Sequence, residues 1–345
     1  SYVAYTAPHW PLHAKDEDIH KYKGVYSDGW DDLRKKRYEN LKNLGIIKNN
    51  WDITDRDKDA EEWESVKNKD WEQSRMEVYA AQIDNLDQGV GRIVNTLEKN
   101  DIRNNTIIMF LSDNGGCAEY LAEDTDGPDS LMFDVPLWDG TKLRMGNNPN
   151  IKPGGPDTFQ SYDIGWSNAS NTPFRLHKRW VHEGGISTPF IINWPDKIKD
   201  KNIIERTSHI MDISATIYNM ANTNYPTNIK SNSIINLEGE SFYKNILGDE
   251  DENRKNTLFW EHEGNKAVRK GKWKLVLKGK LIESYGDVPE VHLANLEEDM
   301  SESNNLADEE PEITEELRNL AENWRKRIEK KWIKEYGAPN EEQRL

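Results

Sequence analysis

The chain has 345 residues, with 46 Lys or Arg against 62 Asp or Glu, so its formal net charge is −16. This acidity argues against nucleic acid or an anionic membrane as the main partner, because both are themselves negatively charged. No run approaches the roughly 20 apolar residues that a membrane span needs, and the single cysteine, Cys117, excludes an internal disulfide.

The N-terminal segment predicts a short strand followed by a rigid loop. Residues 2–6 are rich in β-formers, and Pro8 and Pro11 then forbid regular structure around His9. A rigid loop is a good mount for an imidazole that binds an anion or moves a proton. The alternative, an ordinary surface histidine, is the more common case for an isolated residue. The polar residues 48–72 are interpreted as a surface excursion.

Helix and strand patterns then alternate along the chain. Apolar residues at steps of three and four predict an amphipathic helix, marked by Met76, Tyr79, Ala80, Ile83, Leu86, Val90, Ile93, Val94 and Leu97. Residues 106–111 form a continuous apolar run typical of a strand buried on both faces. A second strand is predicted at 188–194 and a helix at about 209–221. This order favours an α/β domain with a largely parallel sheet.

The connections and the C-terminal part differ in character. Residues 115–172 are rich in Gly, Pro, Asn and Asp with little periodicity, which is typical of a functional or disordered segment. Residues 222–256 form another polar connection. From about 257, alternating apolar residues predict antiparallel strands, and a charged amphipathic helix at about 311–333 closes the chain. We therefore expect two domains, 1–256 and 257–345.

The pair Asp113–Asn114 follows the first buried strand directly and precedes two glycines. Ligands collect at the carboxyl ends of strands in α/β sheets, and carboxylate and amide oxygens suit Ca²⁺ or Mg²⁺. The alternative is an ordinary strand-to-loop turn, since Asp, Asn and Gly dominate turns.

Residues 174–185 concentrate five basic or histidine side chains in an acidic protein, including Lys178. Such a cluster is typical of an anion pocket, and its alternative is a solvated basic face. Cys117 is a weaker candidate for a nucleophile, because its neighbours supply no base or cation that would lower its pKa. A bystander cysteine is the better interpretation.

Five stretches taken together resemble the type I sulfatases, especially the bacterial arylsulfatase branch. They are APHWPLHA (7–14), YAAQIDNLDQGVGRIVNTLEKN (79–100), FLSDNGG (110–116), NTPFRLHKRWVHEGGISTPFI (171–191) and FWEHEGNKAVRKGKWKLV (259–276). The resemblance implies an alkaline-phosphatase-like α/β fold: a large, mostly parallel sheet plus a small C-terminal α+β subdomain with an antiparallel sheet. It agrees with a boundary near 257.

The resemblance also implies site residues and a reaction. Asp113 and Asn114 correspond to ligands of a Ca²⁺ ion, and His9 and Lys178 correspond to residues that hold the sulfate and could protonate the leaving oxygen. The implied reaction is hydrolysis of a small-molecule or carbohydrate sulfate ester to an alcohol or phenol plus sulfate, with formylglycine as nucleophile. The 13 Trp residues do not distinguish an aryl from a carbohydrate sulfate, because aromatic side chains stack on both. The implied location is periplasmic or secreted.

One family feature is missing from this sequence. Formylglycine is made from the Cys or Ser of a [C/S]-x-P-x-R motif, and the nearest match, residues 171–175, has Asn in that position. We expect the nucleophile and the other calcium ligands upstream of residue 1, and the 345-residue chain to be inactive alone. Two alternatives remain: a phosphatase or phosphomutase of the same superfold, and a non-catalytic anion-binding relative. Asn114 favours calcium over the transition metal of the phosphatases, which carry a histidine there.

Overall fold

The computed structural model describes residues 1–122, 136–199, 202–230, 232–248, 254–279 and 288–336. The helices are α1 (Asp16–His20), α2 (Gly29–Asn43), α3 (Lys69–Lys99), α4 (Asp163–Asn171), α5 (Glu183–Ile186), α6 (Met211–Met220), α7 (Tyr243–Ile246) and α8 (Pro311–Tyr336). The strands are β1 (Ile108–Leu111), β2 (Arg144–Met145), β3 (Thr158–Phe159), β4 (Phe190–Asn193), β5 (Asn228–Ile229), β6 (Asn232–Ser233), β7 (Leu258–His262), β8 (Asn265–Lys270), β9 (Trp273–Leu277) and β10 (Val291–Asn295).

The long helix α3 confirms the helix predicted from the apolar stripe. Its first half enters the main core through Met76 and Val78. From Val90 to Lys99 its residues are half-buried or exposed, and Ile83 near its middle is 43% exposed. The helix therefore runs from the core to a part of the surface where its side chains are more exposed to solvent.

Tryptophans build the main core. The rings of Trp30, Trp63 and Trp166 meet with centroids 4.7 to 5.6 Å apart. Trp63 is buried and belongs to the stretch 48–72, so the prediction of a surface excursion there was wrong. The polar composition of residues 48–72 predicted exposure. One large aromatic side chain can nevertheless anchor an otherwise hydrophilic segment to the core.

The central strand pair differs from the expected parallel sheet. β1 and β4 form an antiparallel two-stranded sheet in which Leu111 is paired with Phe190. A parallel neighbour would need a crossover that returns the chain to the start of β1. The chain instead enters β4 beside the end where β1 finished, because Leu111 is paired with Phe190. Within the described ranges, parallel pairing is confined to the short β2–β3 pair and the isolated bridge between His13 and Gly154.

Burial also differs from the prediction. β1 is half-buried rather than covered on both faces, and Ile191 of β4 is 58% exposed. Residues 2–6 form no strand, and Tyr2 is 94% exposed. A β-rich pattern becomes a strand only where a neighbour accepts its backbone hydrogen bonds, and these residues have no strand partner in the described ranges.

The two segments expected to be irregular contain regular structure. The 115–172 stretch includes β2, β3 and α4, whereas its residues 123–135 lie outside the described residues. The 222–256 stretch contains the β5–β6 hairpin and α7, and its residues 231 and 249–253 also lie outside them. The helix α6 lies where it was predicted.

The C-terminal part is a four-stranded antiparallel sheet in the order β10-β9-β8-β7, as the alternation predicted. Helix α8 packs Leu317 and Ala321 against Val268, Leu275 and Leu293 of this sheet. In the described parts of the chain, no helix combines the length and apolar character that crossing a membrane requires.

Candidate active site

Two glycine pairs bring distant segments together. The amide of Gly115 donates to the carbonyl of Gly185 over 3.0 Å. A Cβ built at Gly115 would overlap the carbonyl oxygen of Gly184, and one at Gly184 would overlap that of Arg175. Only glycine permits this approach. The loop after β1 is therefore clamped against the segment that follows Lys178.

The backbone around Lys178 is held from several sides. Its amide donates to the carbonyl of Gly116 over 2.9 Å. The buried ring of His177 has Nδ1 2.8 Å from Ser167 Oγ and Nε2 3.0 Å from Asp57 Oδ2. Burial alone would raise the pKa of Asp57, but the hydrogen bond and charge of His177, with smaller contributions, hold it below its ordinary value. This buried arrangement fixes the direction in which Lys178 leaves the main chain.

His9 meets the Lys178 side chain. Cis peptide bonds precede Pro8 and Pro11 on either side of His9. Lys178 Nζ lies 2.9 Å from His9 Nε2, and His9 Nδ1 lies 2.8 Å from the carbonyl oxygen of Trp10. Because a carbonyl only accepts and an ammonium only donates, Nδ1 carries the proton and Nε2 is the acceptor. The structure thus brings together two candidate residues that are 169 positions apart in the sequence.

Asp113 and Asn114 lie on the clamped loop. The Asn114 amide nitrogen donates to the Gly115 carbonyl over 2.8 Å, which leaves its Oδ1 atom available. The exposed Asp113 carboxylate has no hydrogen-bond or ion-pair partner among the described residues. Available oxygens on a turn fit a hard cation such as Ca²⁺. With at most about three ligand atoms from this pair, such an ion needs further ligands to reach its usual six to eight.

Glu119 is a site residue that the sequence analysis missed. Its Oε2 atom accepts hydrogen bonds from Trp10 Nε1 over 2.8 Å and from Cys117 Sγ over 3.2 Å. Burial alone would raise its pKa, but these two donors and the positive fields of Lys178 and His9 hold it below the ordinary value. No sequence signal marked Glu119, because its partners are set by folding. Burial raises the pKa of Cys117 to about 11, which argues against this thiol as a nucleophile.

A cleft of about 320 Å³ opens beside Lys178. Its lining includes the charged or polar residues Asp55, Asp59, Glu119, Asn168 and Arg175 as well as apolar ones such as Ile164 and Val288. The basic cluster 174–185 is not a solvated face.

Other side chains in that cluster already have partners. Arg175 donates to the carbonyl of Glu302, and Arg179 is paired with Glu263. His182 is fully buried and so cannot reach an anion in the cleft. Lys178 is the residue of this cluster whose charge reaches His9.

Comparisons with known proteins agree on one family. A family model described as sulfatase matches residues 1–223, and one described as N-sulphoglucosamine sulphohydrolase, C-terminal, matches residues 174–331. An uncharacterized sulfatase of Schizosaccharomyces pombe is 32% identical, covering 92% of this chain and 56% of that protein. An arylsulfatase of Klebsiella aerogenes is 30% identical, covering 70% of this chain and 50% of that protein.

A solved structure, that of Ps i-CgsB, shares the fold. It has a TM-score of 0.55 at 20% identity and covers 94% of this chain and 49% of that chain. The chain spans about half the length of the curated relatives it matches.

Proposed function

The chain belongs to the sulfatase family, within the type I sulfatases of the alkaline-phosphatase-like superfamily, and we propose that the protein hydrolyses a sulfate ester to an alcohol or phenol and inorganic sulfate. The observation that carries the proposal is the 2.9 Å contact between Lys178 Nζ and His9 Nε2 beside an open cleft. A cation and an imidazole in contact can bind one tetrahedral anion jointly.

In this proposal, Lys178 and His9 have complementary roles. The Lys178 ammonium neutralises charge that develops on the sulfuryl oxygens. The proton that it shares with His9 Nε2 lies at the site and can pass to the departing oxygen, which is general acid catalysis. The His9 Nδ1–H bond to the Trp10 carbonyl keeps the ring oriented during this transfer.

Asp113 and Asn114 would hold a Ca²⁺ ion, since their available oxygens suit it. When bound, this ion supplies positive charge that polarises the sulfate ester. We also expect formylglycine as the nucleophile, as resemblance to the family implies. The 345 residues contain no [C/S]-x-P-x-R motif that could yield it.

The finer features of the fold and location belong to the same proposal. We expect β1 and β4 to be part of a larger, mostly parallel sheet, which the exposed apolar surface of β4 supports. The expected division falls at 256/257, just before the antiparallel sheet begins with β7. Periplasmic or secreted location follows from the family resemblance, and cell fractionation tests it.

The substrate is expected to be a small-molecule or carbohydrate sulfate. The cleft beside Lys178 carries the carboxylates of Asp55, Asp59 and Glu119, which can accept hydrogen bonds from sugar hydroxyls. Its one tryptophan, Trp180, is buried and offers little exposed ring for stacking on an aryl group. These features favour a sugar over an extended aryl system.

Activity of the protein expressed from its complete gene tests the proposal, with the 345-residue chain assayed beside it. Substrates are an aryl sulfate, a sulfated monosaccharide and an aryl phosphate. Lys178→Ala and His9→Gln should each lower kcat/KM on the sulfate ester by about 10²–10⁴. The control Lys35→Ala changes an exposed lysine away from the cleft and should have no effect. Full activity of Lys178→Ala, or a preference for the phosphate, would contradict the proposal.

A further inference from the structure

A second group of ligand-bearing side chains converges on His9. One ligand atom each from His9, Cys117 and Glu119 lies within 4.8 Å of the others. Imidazole, thiol and carboxylate are the three side-chain types that zinc uses in proteins. We propose that these residues bind a thiophilic divalent cation such as Zn²⁺ or Cd²⁺, and that this cation competes with Lys178 for His9.

The spacing suits a tetrahedral site. Bonds of about 2.3 Å to sulfur and about 2.0 Å to nitrogen or oxygen place tetrahedral ligand atoms about 3–4 Å apart. Cys117 Sγ and Glu119 Oε2 are already 3.2 Å apart. Drawing the His9 ring inward by about 1 Å completes a three-ligand site, with water as the fourth ligand.

The surroundings orient these ligands as metal sites require. A ligating histidine usually donates its second ring N–H to a carbonyl or carboxylate, which fixes the tautomer. His9 Nδ1 does so to the Trp10 carbonyl, and Nε2 is left as the electron-pair donor. The Trp10 indole in turn donates to Glu119 Oε2. Trp10 thus positions two of the three ligands, His9 and Glu119.

The cation has a path to the site. Cys117 and Glu119 both line the cleft beside Lys178. Binding would form a metal–sulfur bond, and the thiol proton would leave to solvent. Thiolate and imidazole select Zn²⁺ or Cd²⁺, whereas Ca²⁺ prefers oxygen ligands alone. The site is therefore chemically distinct from Asp113 and Asn114.

Lys178 and the cation compete because both would bind the same atom of His9. Lys178 Nζ donates to His9 Nε2, the same atom that a metal would use. An ammonium and a divalent cation cannot both occupy the lone pair of one nitrogen, and their charges repel. The metal-bound state therefore separates Lys178 from His9 and disables joint anion binding.

Cadmium titration of the purified 345-residue chain tests the site. Because Cys117 is the only cysteine, any cadmium–thiolate charge-transfer absorbance reports on this residue. We expect one Cd²⁺ per chain. His9→Gln and Glu119→Gln should each weaken the affinity by about 10–100-fold, and Cys117→Ser should abolish the band. His20→Gln and Glu261→Gln change exposed residues elsewhere and should leave the affinity unchanged.

Lys178→Ala tests the competition separately. Removal of the ammonium should raise the Cd²⁺ affinity, whereas loss of a structural residue would lower it. Unchanged or weaker binding would overturn the competition, and an absent band would overturn the site. A band whose affinity is unchanged in both His9→Gln and Glu119→Gln would show a lone thiolate instead. His9 is exposed, so its variant leaves the core intact. None of these readouts requires sulfate hydrolysis, so they are independent of the proposed function.

Discussion

Nε2 of His9 lies 2.9 Å from Nζ of Lys178, although 169 residues separate the two in the chain. The contact depends on clamps outside both side chains: the Gly115–Gly185 hydrogen bond and the buried His177–Asp57 contact. Together they hold the Lys178 backbone so that its ammonium, beside the cleft, reaches the His9 imidazole. The same loop contacts place Asp113 and Asn114 on the segment that touches the Lys178 backbone.

Sulfate affinity should depend on the charge of Lys178. Lys178→Met should weaken binding of inorganic sulfate by about 10-fold or more, because a charge-assisted contact is lost. Lys178→Arg should recover part of it, since the guanidinium keeps the charge. Calorimetric titration at low salt measures this, with Lys35→Met as the control. Equal affinity of Lys178→Met and the parent chain would remove Lys178 from the anion site.

Gly115→Ala should destabilise the fold and open the site. Its Cβ would overlap the Gly184 carbonyl oxygen, which belongs to backbone that cannot rotate away. The expected loss is about 2–3 kcal/mol, as for other overpacking changes. Urea unfolding measures it.

Gly91→Ala is the matched control for that variant. Gly91 lies inside α3, and its added Cβ meets nothing within 4 Å. Alanine there should stabilise the chain by about 0.5–1 kcal/mol, because it forms helix better than glycine. Similar stabilities for the two alanine variants would show that the Gly115–Gly184 approach is not tight.

Two buried histidines should make the fold sensitive to acid. His182 and His292 lie with ring centroids 5.7 Å apart, and neither ring nitrogen of either residue has a hydrogen bond to any of the residues that the structure describes. Burial lowers the pKa of His292 to about 4, with Glu302 and Asp299 opposing the shift and Arg175 and Lys274 adding to it. Burial, Lys274, His292 and Arg175 lower the pKa of His182 well below its ordinary value.

The direction in which stability changes with pH follows from proton uptake on unfolding. Below about pH 6.5 the unfolded chain protonates these histidines while the folded chain does not, so stability is lost as pH falls from about 6.5 toward 4. Each histidine contributes a slope of up to about 1.4 kcal/mol per pH unit. His292→Phe should flatten the slope of unfolding free energy against pH, and His20→Gln should not. An unchanged slope in His292→Phe would contradict the assignment.

Lys274 should be essential for stability. Its ammonium is fully buried and lies 2.6 Å from Glu183 Oε1 and 3.0 Å from Glu302 Oε1. Lys274→Met would leave two buried carboxylates without their cation, at a cost of about 3–5 kcal/mol. The exposed Lys270–Glu316 pair gives the comparison, and Lys270→Met should cost at most about 1 kcal/mol. Thermal unfolding measures both variants. Equal stability losses in the two would show that the buried ion pairs of Lys274 stabilise the fold no more than an exposed pair does.

The local elements were largely predictable from the sequence. Helix α3 follows from residues spaced at three and four, and the antiparallel C-terminal strands follow from alternation. His9 and Lys178 were found through a resemblance to the family, whose motifs place them near one anion. Their catalytic roles, and the metal role of Asp113 and Asn114, stay predictions.

Tertiary structure alone decided the rest, because these features depend on which segments meet. The apolar pattern of β1 is compatible with either strand direction, and only the fold decides that its pairing with β4 is antiparallel. Trp63 became core because two other tryptophans surround it. Glu119 joined the site through Trp10, 109 residues away. Periodicity encodes one face of one element, whereas a site is made by side chains whose separation in sequence carries no information about their distance in space.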